Sequence, residues 1–223
     1  VIRARHSFSS ICPESRRALP RHEALREPSI EVARTGARDA SVFYVDRLSE
    51  ATLAGMQAAA ESGGIVFFEP NEITRSTLFQ RALRLAHVVK FSHETKSAYL
   101  LDAESLHSKY VIRTYGRDGL TLECNRTRTS LPSLPTARVI DTCGAGDMVT
   151  VGLIHALMLN NFRASEMGYE VVRSGLVIGQ RLAALNCAFV GARGAFRAFS
   201  ADDVRTMMTS RASVDVTGID PFA

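Results

Sequence analysis

The chain has 223 residues, of which 46% are hydrophobic, and its formal net charge is +4. This length and composition predict one sizeable folded unit with a buried core and exclude wholesale disorder. No apolar run reaches the roughly 18–20 residues of a membrane-spanning helix, so we expect no membrane partner. A nucleic-acid groove combines basic and aromatic side chains. Aromatic residues make up only 7% here and tryptophan is absent, which argues against a nucleic-acid partner.

The cysteines are few and widely spaced, and none forms a C-x-x-C pair: they are Cys12, Cys124, Cys143 and Cys187. In a chain of this size, such spacing is typical of reduced thiols rather than of a disulfide framework. We therefore predict a cytoplasmic protein.

Residues 1–40 differ in composition from the rest. They carry eight arginines against five acidic residues, and Pro13, Pro20 and Pro28 interrupt any helical periodicity. This composition predicts an irregular, extended arm, followed by a core domain over residues 41–223.

Beyond Ser41, short apolar runs alternate with helical patterns. The predicted order is strand 41–46, helix 50–61, strand 65–68, helix 74–86 and strand 87–90. Such alternation favours βαβ units and a parallel sheet. The glycines of 115–119 then predict a hairpin between strands 109–114 and 120–124. Further along, we expect a strand at 137–140 and helices at 148–159, 165–186 and 201–210.

The most informative segment is Asp141-Thr142-Cys143-Gly144-Ala145-Gly146-Asp147, which lies between the strand-like run 137–140 and an apolar helix. Backbone N–H groups at a helix start are unpaired and carry partial positive charge, and glycines let an anion approach them closely. An acid in the first helical turn is favoured in its ionised form by the helix dipole. The segment therefore predicts an anion site beside a candidate base, although a glycine-rich turn with an acidic helix start has the same residues.

The order of the whole segment matches the D-T-x-G-A-G-D signature, and the chain resembles the ribokinase-like (PfkB) carbohydrate kinases. The strand end Phe67-Phe68-Glu69-Pro70-Asn71 resembles the family's F-D-P-N, with Glu69 in the Asp position. The resemblance implies an α/β fold of three layers, α/β/α, around a mainly parallel sheet. It also implies ATP-dependent phosphoryl transfer to a hydroxyl of a sugar or polyol.

The resemblance also implies the roles of individual residues. Asp147 would be the catalytic base, and Gly144, Ala145 and Gly146 would form the anion hole. The residues implied to bind the nucleotide are Thr114, Gly116, Gly119, Asp141, Thr142, Asn186, Gly191 and Ala192.

Two regions depart from the family pattern. Relatives carry N-x-x-E after the third strand to organise Mg²⁺, whereas this chain has Ser92 and Thr95 at those positions. Glu94 lies one position early and is the candidate metal ligand. The family's glycine-rich N-terminal part and β lid, which contact the sugar, have no counterpart here, so we expect them to be missing. Residues 1–40 would then be either an irregular arm or a remnant of that N-terminal part.

These departures leave alternatives open. The chain could instead be a catalytically degenerate relative that binds nucleotide or acts as a scaffold, or a nucleoside kinase of the same fold. A homodimer also remains open.

Overall fold

The computed structural model describes residues 26–95, 101, 103–136, 138–159 and 163–209. The strands are β1 (Val42–Val45), β2 (Ile65–Phe68), β3 (Val88–Ser92), β4 (Tyr110–Thr114), β5 (Leu120–Cys124) and β6 (Thr127–Leu131). The helices are α1 (Arg26–Ala37), α2 (Glu50–Glu61), α3 (Thr77–Leu85), α4 (Ala103–Leu106), α5 (Ala145–Leu159), α6 (Tyr169–Asn186), α7 (Ala195–Ala198) and α8 (Ala201–Thr209).

One six-stranded sheet runs in the order β1-β2-β3-β4-β5-β6. The first four strands are parallel, and β4, β5 and β6 pair antiparallel. The carboxyl ends of β1 to β4 therefore meet at one edge of the sheet, where sites in open α/β sheets are usually found. The predicted mainly parallel sheet and its hairpin are confirmed.

Helices cover both faces of the sheet. Alternate residues of β2 point to opposite sides: Val66 and Phe68 pack with α2 and α3, whereas Ile65 and Phe67 pack with α5 and α6. This period of two, with both sets apolar, is what a strand buried on both faces requires. The result is the three-layer α/β/α arrangement that the resemblance implied.

The helices α5 and α6 approach each other unusually closely. A Cβ atom added at Gly152 of α5 would overlap the backbone of Gly179 in α6, and one added at Gly179 would lie 2.5 Å from the carbonyl oxygen of Val149. Only glycine permits this approach, because any larger side chain would force the two helices apart. The contact fixes α5, whose first turn contains Asp147, against the rest of the domain.

Three local predictions were wrong. Residues 26–37, predicted as part of an extended arm, form helix α1, which packs along α2. Pro28 does not interrupt it, because the residue lies in the first turn, where the backbone N–H groups have no intrahelical acceptor. Residues 138–140, predicted as part of a strand, form none, and β6 lies where no strand was predicted. Ala137 and the rest of the arm, residues 1–25, lie outside the described residues.

Candidate active site

The signature segment forms a loop that leads directly into α5. Gly144 has a φ of +76° immediately before the helix, and its carbonyl oxygen accepts a hydrogen bond from the N–H of Met148 at 2.9 Å. This left-handed conformation favours glycine. Ala145, Gly146 and Asp147 then form the first turn of α5, and the N–H of Ala145 donates to the carbonyl oxygen of Thr142 at 3.2 Å. The N–H groups of a first helical turn have no acceptor within the helix itself.

The loop is tied to the turn at residues 191–192 by two side chains. Asp141 accepts hydrogen bonds from the N–H of Cys143 at 2.9 Å and from the N–H of Gly191 at 2.8 Å. These two donors lower the pKa of the Asp141 carboxyl below its ordinary value. The Nδ2 of Asn186 donates to the carbonyl oxygens of Cys143 and Gly191.

Packing tightens the same junction. A Cβ added at Gly144 would lie 2.5 Å from the carbonyl oxygen of Ala192, so the two backbones are in direct contact. Gly191 has a φ of +89°, which lets the chain turn back toward the loop. The structure thus brings together segments that are about fifty residues apart in sequence.

The structure gives Asp141 and Asn186 a supporting position. Asn186 is fully buried, and its Oδ1 accepts from the N–H of Ala195 while its Nδ2 donates to the two loops. The nucleotide contact that the resemblance implies for Asn186 stays a prediction. Both carboxylate oxygens of Asp141 accept from backbone, whereas Thr142 is exposed at the mouth of the loop.

Asp147 lies at the surface in the first turn of α5 and faces the carboxyl edge of the sheet. Partial burial raises the pKa of its carboxyl above the ordinary value, and the negative charges of Glu69 and Asp46 act in the same direction. The cation of Lys90 opposes them and lowers the pKa. A carboxylate with a raised pKa is a better proton acceptor near neutral pH, provided that it remains ionised.

Sequence reasoning missed the polar cluster beneath Asp147. Glu69 follows β2 and accepts hydrogen bonds from Thr150 of α5 at 2.7 Å and from the hydroxyl of Tyr44 at 3.2 Å. It also forms an ion pair with Lys90 of β3. A lysine within the apolar run of β3 was the available signal, because a buried lysine is rarely left without a partner.

The turn between β4 and β5 lies at the carboxyl edge of the sheet, the edge that Asp147 faces. Gly116 has a φ of +56° with open space around it, and Gly119 has a φ of +93° and packs on the backbone of 131–133. The carbonyl oxygen of Thr114 accepts a hydrogen bond from the N–H of His93 at 2.9 Å. The contacts of this turn thus run to the loop after β3 and to residues 131–133.

The candidate metal ligand, Glu94, lies in that loop after β3. Its side chain is exposed, and its N–H donates to Ser92 at 3.2 Å. Over the described residues, no group of three or more histidine, cysteine, aspartate or glutamate side chains could hold a metal ion. Mg²⁺ in phosphoryl-transfer sites is held by one or two carboxylates together with substrate phosphates, so an exposed Glu94 fits that donor set. Its role stays a prediction.

None of the described helices has the length and apolar content to cross a membrane.

Comparisons with known proteins agree with the fold and the signature. The model of the pfkB family carbohydrate kinases matches residues 15–195. A fructokinase of Salmonella thompson is 30% identical, and the match covers 63% of this chain and 70% of that protein. A fructokinase of Salmonella typhimurium is also 30% identical, and the match covers 63% of this chain and 50% of that protein.

Solved structures share the fold at lower identity. A nucleoside kinase of Burkholderia thailandensis in complex with inosine superposes with a TM-score of 0.62 at 17% identity, over 81% of this chain and 60% of that one. An aminoimidazole riboside kinase of Salmonella enterica, complexed with aminoimidazole riboside and an ATP analogue, superposes with a TM-score of 0.61 at 23% identity. That match covers 75% of this chain and 62% of the riboside kinase. The chain therefore spans about 60% of the length of these two structures. The family model matches well over half of the chain, and the protein belongs to the pfkB family of carbohydrate kinases.

Proposed function

We propose that this protein transfers the γ-phosphoryl group of ATP to a hydroxyl of a sugar or related polyol. One observation carries the proposal: Asp147 stands in the first turn of α5, beside a glycine loop that is fixed against the turn at 191–192. The fructokinases at 30% identity support a sugar as the acceptor.

The proposed reaction needs a proton acceptor. The carboxylate of Asp147 takes the proton of the acceptor hydroxyl as the hydroxyl oxygen bonds to the γ-phosphorus. The bond between that phosphorus and the bridging oxygen breaks, and ADP leaves with the electron pair. The raised pKa of Asp147 supports this role, because it brings the base closer to neutral pH.

The reaction also needs a site for the charge on the γ-phosphoryl oxygens. The N–H groups at residues 144–146 lie at the start of α5, where the helix dipole adds to their partial positive charge. One well-placed donor of this kind contributes about 10²–10³ in rate. Glu94 would hold Mg²⁺, which when bound neutralises phosphate charge.

Nucleotide binding is proposed for the loops beside the same site. Thr114, Gly116 and Gly119 at the end of β4, Thr142 in the signature, and the Gly191-Ala192 turn would line the nucleotide. The positive φ values of Gly116 and Gly191 support close approach of a ligand to the backbone.

The decisive experiment replaces Asp147 with asparagine. We expect Asp147→Asn to lower kcat by about 10²–10⁴-fold, because the hydroxyl proton loses its acceptor. ADP release is measured with a panel of sugars, polyols and nucleosides, and ATP binding is measured by calorimetry. Asp202→Asn is the matched control, since Asp202 also lies exposed in a first helical turn and pairs with Arg205 of its own helix.

Stability gives an independent check on the same variant. A raised pKa means that the folded state disfavours the charged carboxylate, so Asp147→Asn should be at least as stable as the wild type near neutral pH. The difference should vanish at low pH, where the carboxyl is protonated in both states.

If ATP binds and no acceptor gives Asp147-dependent turnover, the chain is a degenerate nucleotide-binding relative instead.

The anion hole is tested at Gly146. A Cβ there would meet only the Nζ of Lys90, at an ordinary 3.8 Å, so Gly146→Ala should fold normally and crowd the γ-phosphoryl group. We expect kcat to fall by about tenfold or more. Gly144 is a poor test, because a side chain there would strike Ala192 and strain a positive φ. Unchanged kinetics in Gly146→Ala would argue against the anion hole.

A further inference from the structure

Four polar side chains lie together beneath the start of α5, and the proposed reaction does not yet use them. They are Tyr44 of β1, Glu69 after β2, Lys90 of β3 and Thr150 of α5. Glu69 joins the other three through its two carboxylate oxygens. The cluster therefore links three elements of the sheet side to the helix that contains Asp147.

Lys90 is the unusual member. It lies in the apolar strand β3 and is only 2% exposed. Burial of an ammonium group is costly unless the charge is paired, and Glu69 provides the pair at a position that is itself mostly buried. An apolar residue would fill this position without the free-energy cost of burying a charge, so packing alone does not account for a lysine here.

The ammonium group points toward the signature loop. A Cβ added at Gly146 would lie 3.8 Å from the Nζ of Lys90, which places the cation directly behind the first turn of α5. Thr150 lies one helical turn after Gly146 and is anchored to Glu69. The ion pair thus holds both the position of the turn and a positive charge beside it.

We propose that Lys90 is a positioning residue for phosphoryl transfer: paired with Glu69, it fixes the first turn of α5 through Thr150 and places a cation behind Asp147 and Gly146. This inference rests on the proposed function, because it assigns Lys90 a part in the same site. Lys90 touches neither substrate nor nucleotide in this proposal and acts through Asp147.

The charges that face Asp147 come from every neighbouring strand end. Asp46 and Tyr44 belong to β1 or follow it, Glu69 follows β2, and Lys90 belongs to β3. Of these, only Lys90 lowers the pKa of Asp147, whereas Glu69 and Asp46 raise it. Removal of Lys90 should therefore raise the pKa of Asp147, and neutralisation of Glu69 should lower it.

The first test measures this directly and needs no turnover. The carboxyl carbon of Asp147 is followed by ¹³C NMR as a function of pH in the wild type, Lys90→Met and Glu69→Gln. We expect an upward shift of about one pH unit in Lys90→Met and a downward shift in Glu69→Gln. Lys109→Met is the matched control, because Lys109 is also partly buried but donates to carbonyl oxygens of Arg84 and Ala86 far from the signature.

The second test uses the pH profile of kcat/KM. The apparent pKa of its acid limb should rise in Lys90→Met and fall in Glu69→Gln. Lys90→Arg should have the acid limb of the wild type, because it keeps the cation. If Lys90→Met does not fold, the double variant Lys90→Met/Glu69→Gln removes both charges of the buried pair, a change that is often nearly neutral for stability.

The outcomes separate the inference from the proposed function. An Asp147 titration that is the same in the wild type, Lys90→Met and Glu69→Gln overturns the inference. A folded double variant with wild-type kcat also overturns it, whereas its titration is expected to stay near that of the wild type because the two opposing charges are removed together. Opposite NMR shifts without turnover in the wild type would support the charge arrangement and reject the kinase proposal.

Discussion

The two faces of the central sheet are built from alternating residues of the same strands, yet they differ in chemistry. Toward α2 and α3, the strands present Val45, Val66 and Phe68, which pack in one apolar cluster. Toward α5, the strand ends present Glu69 and Lys90 beneath the catalytic candidate. A single alternation therefore separates a stabilising face from a face that also supports the site.

The difference extends to the helices. On the α5 side, two helices meet backbone to backbone at Gly152 and Gly179, so the position of α5 is tightly determined. On the other side, the corresponding contact of Gly55 in α2 is with the ring of Phe43, a side chain that can move. The comparison suggests that precise helix placement matters where a helix carries Asp147, and matters less elsewhere.

Two buried leucines give the largest test of this comparison. Leu53 in α2 and Leu153 in α5 are 2% and 0% exposed, so alanine at either position should lower the free energy of unfolding by about 2–5 kcal/mol. Only Leu153→Ala should also lower kcat, by about tenfold or more, because a small displacement of α5 moves Asp147. Urea unfolding and kinetics below the unfolding range measure both. An equal loss of kcat in the two variants would contradict the idea that the placement of α5 matters more for activity than the placement of α2.

The glycine contacts give a smaller test. Gly152→Ala should lower the free energy of unfolding by about 1–3 kcal/mol, since two backbones must separate. Gly55→Ala should be close to neutral, because the ring of Phe43 can shift and alanine favours the helix by about 1 kcal/mol. Thermal unfolding of the two variants decides between these expectations, and a larger loss for Gly55→Ala would contradict them.

The smallest expected effect concerns the amino edge of the sheet. His87 precedes β3, and its Nδ1 accepts a hydrogen bond from the N–H of Val66 at 3.0 Å. Burial, with the nearby cation of Lys109, lowers the pKa of His87 below 6.5. The folded state therefore binds the proton less readily than the unfolded state, and stability falls as the pH drops below about 6.5.

The variant His87→Asn tests this edge, because its Oδ1 can take the place of Nδ1 as acceptor without titrating. We expect its urea midpoint to change less than that of the wild type between about pH 7.5 and about pH 5.5. Turnover at the higher pH should be unchanged, since this edge lies opposite the site. An identical pH dependence in both proteins would show that His87 does not cause the loss of stability at low pH.

Local patterns predicted much of this fold. The alternation of apolar runs with helical segments located β1 to β5 and the helices α2, α3, α5, α6 and α8 to within a few residues, because periodicity and turn residues act over short distances. The errors have physical causes. Pro28 was interpreted as a helix breaker although it lies in a first turn. β6 is an edge strand in which four of the five residues are polar, so no apolar pattern marks it, and it forms by pairing with β5.

By itself, the sequence determined the family signature, the place of Asp147 at the start of an apolar helix and a mainly parallel sheet, because each depends on patterns of neighbouring residues. The tertiary structure alone decided which distant groups meet. Asp141 reaches Gly191 across 50 positions, and Thr150 reaches Glu69 across 81. Those contacts depend on strand register and on the placement of α5 against α6, which no local pattern specifies. Asn186 shows the same limit, because its burial and its hydrogen bonds to two loops follow from the fold and not from its neighbours in sequence.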